Sequence, residues 1–565
     1  TDGGNNWTEL TTGLPTTEES RIGLAISNSS PNTLYAIYTD GITLDVKDIY
    51  KTTNGGTSWT AMNVAGAGLP AVQGGFGWYF GEVYLNPYNN NQLIVPGVDM
   101  WMSNDGGLNW AQNVPDWWTY DVHADKHAIL FLGPTSYIIA TDGGLYKTTD
   151  NGATWTDIEN IPVTQFYHID ADPLNPGLYG GGAQDNGTMQ GNASVFNMWE
   201  KLAGGDGFRL TYLEDDPGGI YYETQNGNLN YANLITWDWY DVSPTVNSPD
   251  RVNWDMPYHI NETDAELFAG TAEMMMMEAA PFGSYVSISG DLTKVGLGTS
   301  IGDDKYHTIT EIDQSKFDSD KLYVGTSDGL MWRGDRTGTI WNWTNITGTL
   351  PDRYVTAVRV SPNYNNTIYV GMSGYKYNEE VSYLYKSDNN GVTWTDISGN
   401  LPGITVNDIL VVEGQEDTVL FAALDGGVYY TEDSGINWDY MGTNIPFATI
   451  SELAMDETNQ KLIAGTYSRS MYSYDVSWVG VVEPPTTGIK ETSQEVKFYP
   501  NPVHDLVYFQ DMDAEYLDLY NTNGERVVHK KILNTGQYCQ VNIAELPAGV
   551  YIFKSGNYTG KVVKE

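Results

Sequence analysis

The chain has 565 residues, 41% of them apolar, with 61 glycines, 40 tyrosines and 18 tryptophans. That is the composition of a large protein of many short strands and tight turns. Its formal net charge is −44, from 72 acidic and 28 basic residues; this repels phosphate backbones and anionic lipid surfaces and excludes nucleic-acid binding as a main function. The same charge attracts cations, Ca2+ above all, and keeps a protein soluble in salty surroundings. One cysteine, Cys539, allows no disulfide framework. No apolar run approaches the ~18 residues of a membrane span.

No sustained stretch places apolar residues at helical spacing, so long helices are not expected. Instead one pattern recurs, Ser/Thr-x-Asp/Asn-x-Gly-x-x-Trp. A partial copy opens the chain with Asp2 and Trp7. Because Thr1-Asp2-Gly3-Gly4 is not a signal peptide, the chain is read as either mature or lacking its N-terminal part. Full copies carry Asn54 and Trp59, Asp105 and Trp110, Asp150 and Trp155, Asn389 and Trp394, and Asp433 and Trp438. The Asp or Asn side chain accepts hydrogen bonds from backbone N–H groups of its own loop, and the Gly supplies positive φ. The Trp opens the next strand and packs between layers.

The spacing is 51 residues from Asn54 to Asp105, 45 on to Asp150, and 44 from Asn389 to Asp433. The 239 residues from Asp150 to Asn389 make five such steps, so four blades with degraded turns are expected between them. Asp328-Gly329 marks one, followed by a decayed copy at 335–338. The count is about ten four-stranded blades from about residue 20 to residue 476, an all-β propeller.

Several residues along the way carry potential chemistry. His123, Asp125 and His127 alternate, so in a strand they share a face that suits Zn2+ or another divalent ion; the competing reading is a packed polar patch near the channel. Asp185 and Asp206 lie in Gly-flanked loops, which is either turn chemistry or a pair of carboxylates facing a cleft. Met274–Met277 reads as core filling or as a contact surface. Cys539 falls on the apolar face of a strand, as a buried thiol. Phosphate loops, nucleophile elbows and cysteine metal clusters are not evident.

The repeat resembles the Asp-box of sialidases, sortilin-type receptors and related propellers, where it is a structural turn. Residues 20–230 resemble a sortilin-like family of large secreted tandem-propeller proteins of Bacteroidota. The stretches that carry this include Asp121–Ala128, Gln165–His168, Gly181–Thr188, Gly204–Phe208 and Gln225–Leu229. The resemblance implies that 164–478 is a seven-bladed ring and 1–163 part of another. The alternative is one ten-bladed ring, with residues 1–15 supplying the outer strand of the last blade. A linker follows at 479–489.

Residues 490–565 read as a small antiparallel β-sandwich. They carry, in order, Tyr499-Pro500-Asn501-Pro502, a strand ending in Tyr-Asn-x-x-Gly at Gly524, then Leu546-Pro547-Ala548-Gly549-Val550-Tyr551, and finally Lys561 and Lys564. This resembles the type A C-terminal sorting domain of the type IX secretion system. The resemblance implies partners: the translocon, its outer-membrane shuttle protein and a sortase-like peptidase. It also implies export to the cell surface or medium.

For the propeller two functions remain. The preferred one is a binding or adhesion scaffold for a glycan or protein, with no catalytic residues and no resident cofactor. The alternative is a secreted glycoside hydrolase of the tandem-propeller xyloglucanase type, with Asp185 and Asp206 as its candidate acids. A sialidase is less favoured still, because the nine arginines include no Arg-Ile-Pro motif and no convincing triad.

Overall fold

The computed structural model describes the whole chain except residues 1–2, 17–18, 120, 160, 196–197, 247–249, 279–281, 295–306, 416, 443–444, 480–496, 511–515, 522–525, 532–538 and 556–557. Strands and turns dominate, and the one α-helix among the described residues is the four-residue Gly77–Phe80. Ten antiparallel sheets follow one another at 19–61, 84–112, 126–157, 166–203, 207–241, 258–287, 309–345, 354–396, 406–440 and 450–475. We number them one to ten. Each of the first nine pairs four strands in chain order, and the tenth has three. This is the blade of a β-propeller. The chain divides into two compact units, 1–482 and 483–565.

Local chemistry explains the turns. In all five full repeats the Ser or Thr hydroxyl is a hub. Thr431 Oγ1 donates to Asp433 Oδ1 at 2.8 Å and accepts from the Asp433 and Gly435 amides. Asp433 Oδ1 in turn accepts from Asn437 N at 2.8 Å. Thr52, Ser103, Thr148 and Ser387 repeat the geometry with Asn54, Asp105, Asp150 and Asn389. The tryptophans tie neighbouring sheets: Trp394 and Trp438 donate Nε1–H to Ile346 and Ile397 carbonyls at 2.8 and 2.9 Å. Trp59, Trp110 and Trp438 are buried, whereas Trp7 is 89% exposed. Asp2 lies outside the described residues. The decayed copy near 335–338 is a plain hairpin, with Thr337 paired to Ile340.

The second strand of each sheet is sandwiched between layers, so its apolar run is continuous; Leu420–Leu424 is buried at all five positions. Met274 and Met277 are buried and fill the cores on either side of the sixth sheet. Sheet packs on sheet in chain order, and Ala454 and Ile463 of the tenth share a core with Phe166, Ile169 and Tyr179 of the fourth. Sheets four to ten therefore run around a closed circuit. Thr12 and Leu14 dock instead on the first sheet: Trp59 N donates to Thr12 O at 3.0 Å, and Leu14 packs with Ala36, Tyr38 and Trp59.

Much of the acidic composition serves this circuit. A carboxylate on one inner strand accepts a backbone N–H of the next. Asp170 accepts from Tyr212 N, Asp313 from Val360 N, Asp408 from Leu453 N, and Glu452 from Ile169 N, at 2.6–3.0 Å. Each of the seven sheets, or the loop leading into it, also contributes one group to a central charge girdle. These are His168, Arg209, Asp255, Glu311, Arg359, Asp408 and Glu452. His168 pairs with Asp255 at 2.7 Å and Glu452 at 3.3 Å. Arg209 pairs with Glu311 at 2.5 Å, and Arg359 with Asp408 at 2.6 Å.

The second unit has a three-stranded sheet (Lys497–Tyr499, Leu506–Gln510, Cys539–Asn542) and a four-stranded one (Tyr516–Tyr520, Arg526–Lys531, Gly549–Ser555, Tyr558–Lys564). Phe509, Leu517, Leu519, Phe553 and Val562 share their core, as in a sandwich. The Cys539 backbone pairs with Phe509; its side chain is outside the described residues.

Candidate functional site

The acidic residues singled out from the sequence converge where the third sheet meets the turns of the fourth. Asp125, in left-handed backbone at φ 57°, precedes the strand Lys126–Phe131. Asp142 sits in the tight turn between Tyr137–Thr141 and Gly144–Thr148. Asp185, at φ 59°, sits in the turn between Leu178–Ala183 and Gly187–Asn192. Asp206 leads into the strand Gly207–Tyr212. One carboxylate oxygen each from Asp125, Asp142 and Asp185 lies within 4.8 Å of the others.

Two glycines permit the approach. A Cβ on Gly143 would stand 2.4 Å from His123 Cγ, and one on Gly182 would stand 2.1 Å from the Phe208 carbonyl oxygen. The loop is then strapped from several sides. Asp206 Oδ1 accepts from Asp185 N at 2.5 Å, and its Oδ2 accepts from Gln225 Nε2 at 3.2 Å. Asn186 Nδ2 donates to the Asp142 carbonyl at 2.9 Å.

Of His123, Asp125 and His127, only His127 lies in the strand Lys126–Phe131; the other two precede it. The His123 ring nitrogens meet two backbone carbonyls, Ala124 O at 3.1 Å and Asp185 O at 3.0 Å. His127 Nε2 meets Asp142 Oδ1 at 2.7 Å. The left-handed residue between them breaks the strand alternation on which the expectation rested. Asp142 is the member that sequence reading missed as a site residue; its Asp-Gly signal was legible only as a turn.

Burial dominates the electrostatics. It pushes the Asp185 carboxyl up to about 7, assisted by the charges of Asp206 and Asp142. Burial and Asp142 also raise Asp125. The hydrogen bond to Asp142 raises His127, so it carries charge more readily than a free imidazole. Close carboxylates in a poorly hydrated spot resolve their repulsion by sharing a proton. They can equally hold a hard divalent cation through oxygen ligands, as Ca2+ prefers.

Aromatic rings surround the cluster. Tyr79 and Phe80 lie 5.0 and 5.2 Å from the His127 ring. Phe76, Trp78 and Tyr79 are each more than half exposed. Arg21 holds this segment by donating to the Trp78 and Tyr79 carbonyls and to Glu82. Tyr467 donates to Gln184, next to Asp185, and its ring lies tilted against Tyr167 at 5.3 Å.

In the second unit the separated motifs meet. Asn501 of Tyr-Pro-Asn-Pro donates Nδ2–H to the Lys561 carbonyl at 2.9 Å and accepts from Val563 N at 2.7 Å. Glu565 N donates to Val503 O at 2.9 Å. Tyr551 donates its hydroxyl to the Pro547 carbonyl at 2.8 Å. Gly524 lies outside the described residues.

Residues 497–565 match the family described as the secretion system C-terminal sorting domain. This tail directs type IX export to the cell surface or medium. Among the described residues no helix is long and apolar enough to cross a membrane. Two curated relatives match elsewhere. One is a probable oligoxyloglucan-reducing end-specific xyloglucanase from Neosartorya fischeri, 25% identical over 260 residues, covering 43% of this chain and 29% of that protein. The other is a xyloglucanase from a Paenibacillus species, 24% identical over 364 residues, covering 57% of this chain and 33% of that protein. The chain thus spans about a third of the length of these relatives.

Proposed function

We propose that this type IX cargo presents a glycan-binding propeller, with its binding surface at the acidic junction of Asp125, Asp142, Asp185 and Asp206. The observation that carries the reading is the meeting of these carboxylates with an exposed aromatic rim at Phe76, Trp78 and Tyr79. Carboxylates accept hydrogen bonds from sugar hydroxyls, and flat rings pack against the C–H faces of pyranoses. The two xyloglucanase relatives, though remote, favour a neutral β-glucan as the ligand. The packing of sheet ten on sheet four supports reading 164–478 as a seven-bladed ring. The shuttle protein, translocon and sortase-like peptidase are the proposed partners of 490–565, as in the Bacteroidota proteins it resembles.

Affinity electrophoresis of the purified protein through gels containing xyloglucan, other β-glucans or none tests the proposal. Retardation by at least one glucan is expected, with a loss of about tenfold for Tyr79→Ala, the cost of one stacked ring. Unretarded migration on every polysaccharide overturns it.

A second reading, hydrolysis, is favoured by one observation: Asp185 keeps a proton close to neutral pH beside the Asp206 carboxylate, as a general acid must. The Asp125–Asp142–Asp185 oxygens, within 4.8 Å of one another, stand closer than the roughly 6.5–9.5 Å that an inverting pair needs for its water. In this reading Asp185 is the acid, with Asp206 as its partner. Release of reducing ends that Asp185→Asn abolishes, while gel retardation survives, would select this reading.

A further inference from the structure

Within the circuit of sheets four to ten the inner strands line an open pocket of about 280 Å3. His168, Asp255 and Glu311 of the charge girdle form part of its lining. Thr310, Thr356 and Ser451 line its wall. Tyr167 and Tyr467 flank it on the side of the acidic junction, where Tyr467 reaches Gln184. The pocket neighbours the site already described through the Tyr467–Gln184 contact and adds threonine, serine and girdle residues of its own.

Its lining defines the class of guest. The fixed charges are paired with one another: His168 with Asp255 and Glu452, and Arg209 with Glu311. A charged ligand would have to break such a pair and bury its own charge, a cost a neutral one avoids. The wall is hydroxylic and partly committed. Thr310 and Thr356 donate to the Val355 and Val406 carbonyls, which leaves their oxygens free only to accept. Ser451 Oγ and Asp255 Oδ1 have no hydrogen-bond partner among the described residues. Such a wall asks for a guest rich in hydroxyl donors. A cavity of about 280 Å3 is at the small end of ligand pockets, the size of one sugar ring. Two phenol rings, with centroids 5.3 Å apart, supply the apolar contact that a sugar face needs.

We propose that this pocket binds a single neutral pyranose, the end or a side branch of the glycan held at the junction. The inference rests on the glycan reading above. It is tested by saturation-transfer NMR and calorimetry on the full chain, with methyl glycosides of xylose, glucose and galactose as probes and inorganic phosphate as the charged control. Saturation of at least one glycoside, and none of phosphate, is expected. Thr449→Trp, which places an indole in the pocket lining, removes the binding. Ser451→Ala, which deletes one unpaired hydroxyl, weakens it about fivefold.

If no glycoside binds, or if a Thr449→Trp variant with unchanged melting binds as the parent does, the pocket proposal fails. If that variant does not fold, Ser451→Ala decides alone, and unchanged affinity overturns the proposal. Polymer retardation without glycoside binding sinks only the pocket. Glycoside binding without polymer retardation sinks only the junction reading.

Discussion

Replacing Glu452 by Ala opens the seam at which the tenth sheet meets the fourth. The side chain accepts from Ile169 N at 2.8 Å, faces His168 Nδ1 at 3.3 Å and lies 3.6 Å from Arg359. Burial alone would raise its carboxyl, but His168, Arg209 and Arg359 outweigh burial and hold it below the usual range. Deleting one partner of a buried pair costs about 3–5 kcal/mol. His168 keeps Asp255, and Arg359 keeps Asp408, so the lower end, about 3 kcal/mol, applies. For a unit of about 480 residues unfolding together, at ~2.1 cal/mol/K per residue, this lowers Tm by about 3 °C. Glu452→Gln keeps the acceptor for Ile169 and loses less. Calorimetry measures both, and amide exchange at Ile169 and at Gly177, whose N–H donates to Asp456 of the tenth sheet at 2.9 Å, reports the seam directly. A Glu452→Ala protein that melts within about 1 °C of the parent, with both amides still protected, refutes the reasoning.

Three further outcomes are expected. The Asp185 carboxyl is raised above its ordinary value, so its contribution to stability is full near pH 4 and is lost as pH rises through about 7; His127, also raised, loses its contribution in the same direction. Amide exchange in the 184–187 loop should accelerate from pH 5 to pH 8 beyond the intrinsic rate, and Asp185→Asn should flatten that excess. Asp433→Ala removes the acceptor for Thr431 and for Asn437 N and should lower the midpoint of denaturant unfolding, with Glu432→Ala as the neutral control. Deleting 490–565 should leave the propeller in the periplasm; normal surface delivery of that truncation would end the sorting assignment.

The repeat turns were legible in the sequence because all their partners are local. Every hydrogen bond of the Thr431–Asn437 hub spans two to four residues, so the order of residue types dictates the geometry. Blade length followed from the spacing of those turns, and the tail's motifs announced a sandwich whose strands now pair. The acidic junction was legible only in fragments. Asp185 and Asp206 stood out through their glycines, but Asp142 looked like any hairpin turn. The strand alternation expected of His123, Asp125 and His127 begins only at Lys126, after a left-handed backbone at Asp125.

What only the tertiary structure decided is which charges meet. Asp185 and Asp206 are 21 residues apart, His123 and Asp185 are 62, and His168 and Glu452 are 284. Such pairings depend on how many sheets fill the circuit and how each is rotated against the next, a sum of packing interactions that no short stretch encodes. The sequence by itself determined the strands, their turns and the export tail. The packing of sheet on sheet turned a surplus of acidic residues into clamps, a girdle and an acidic junction.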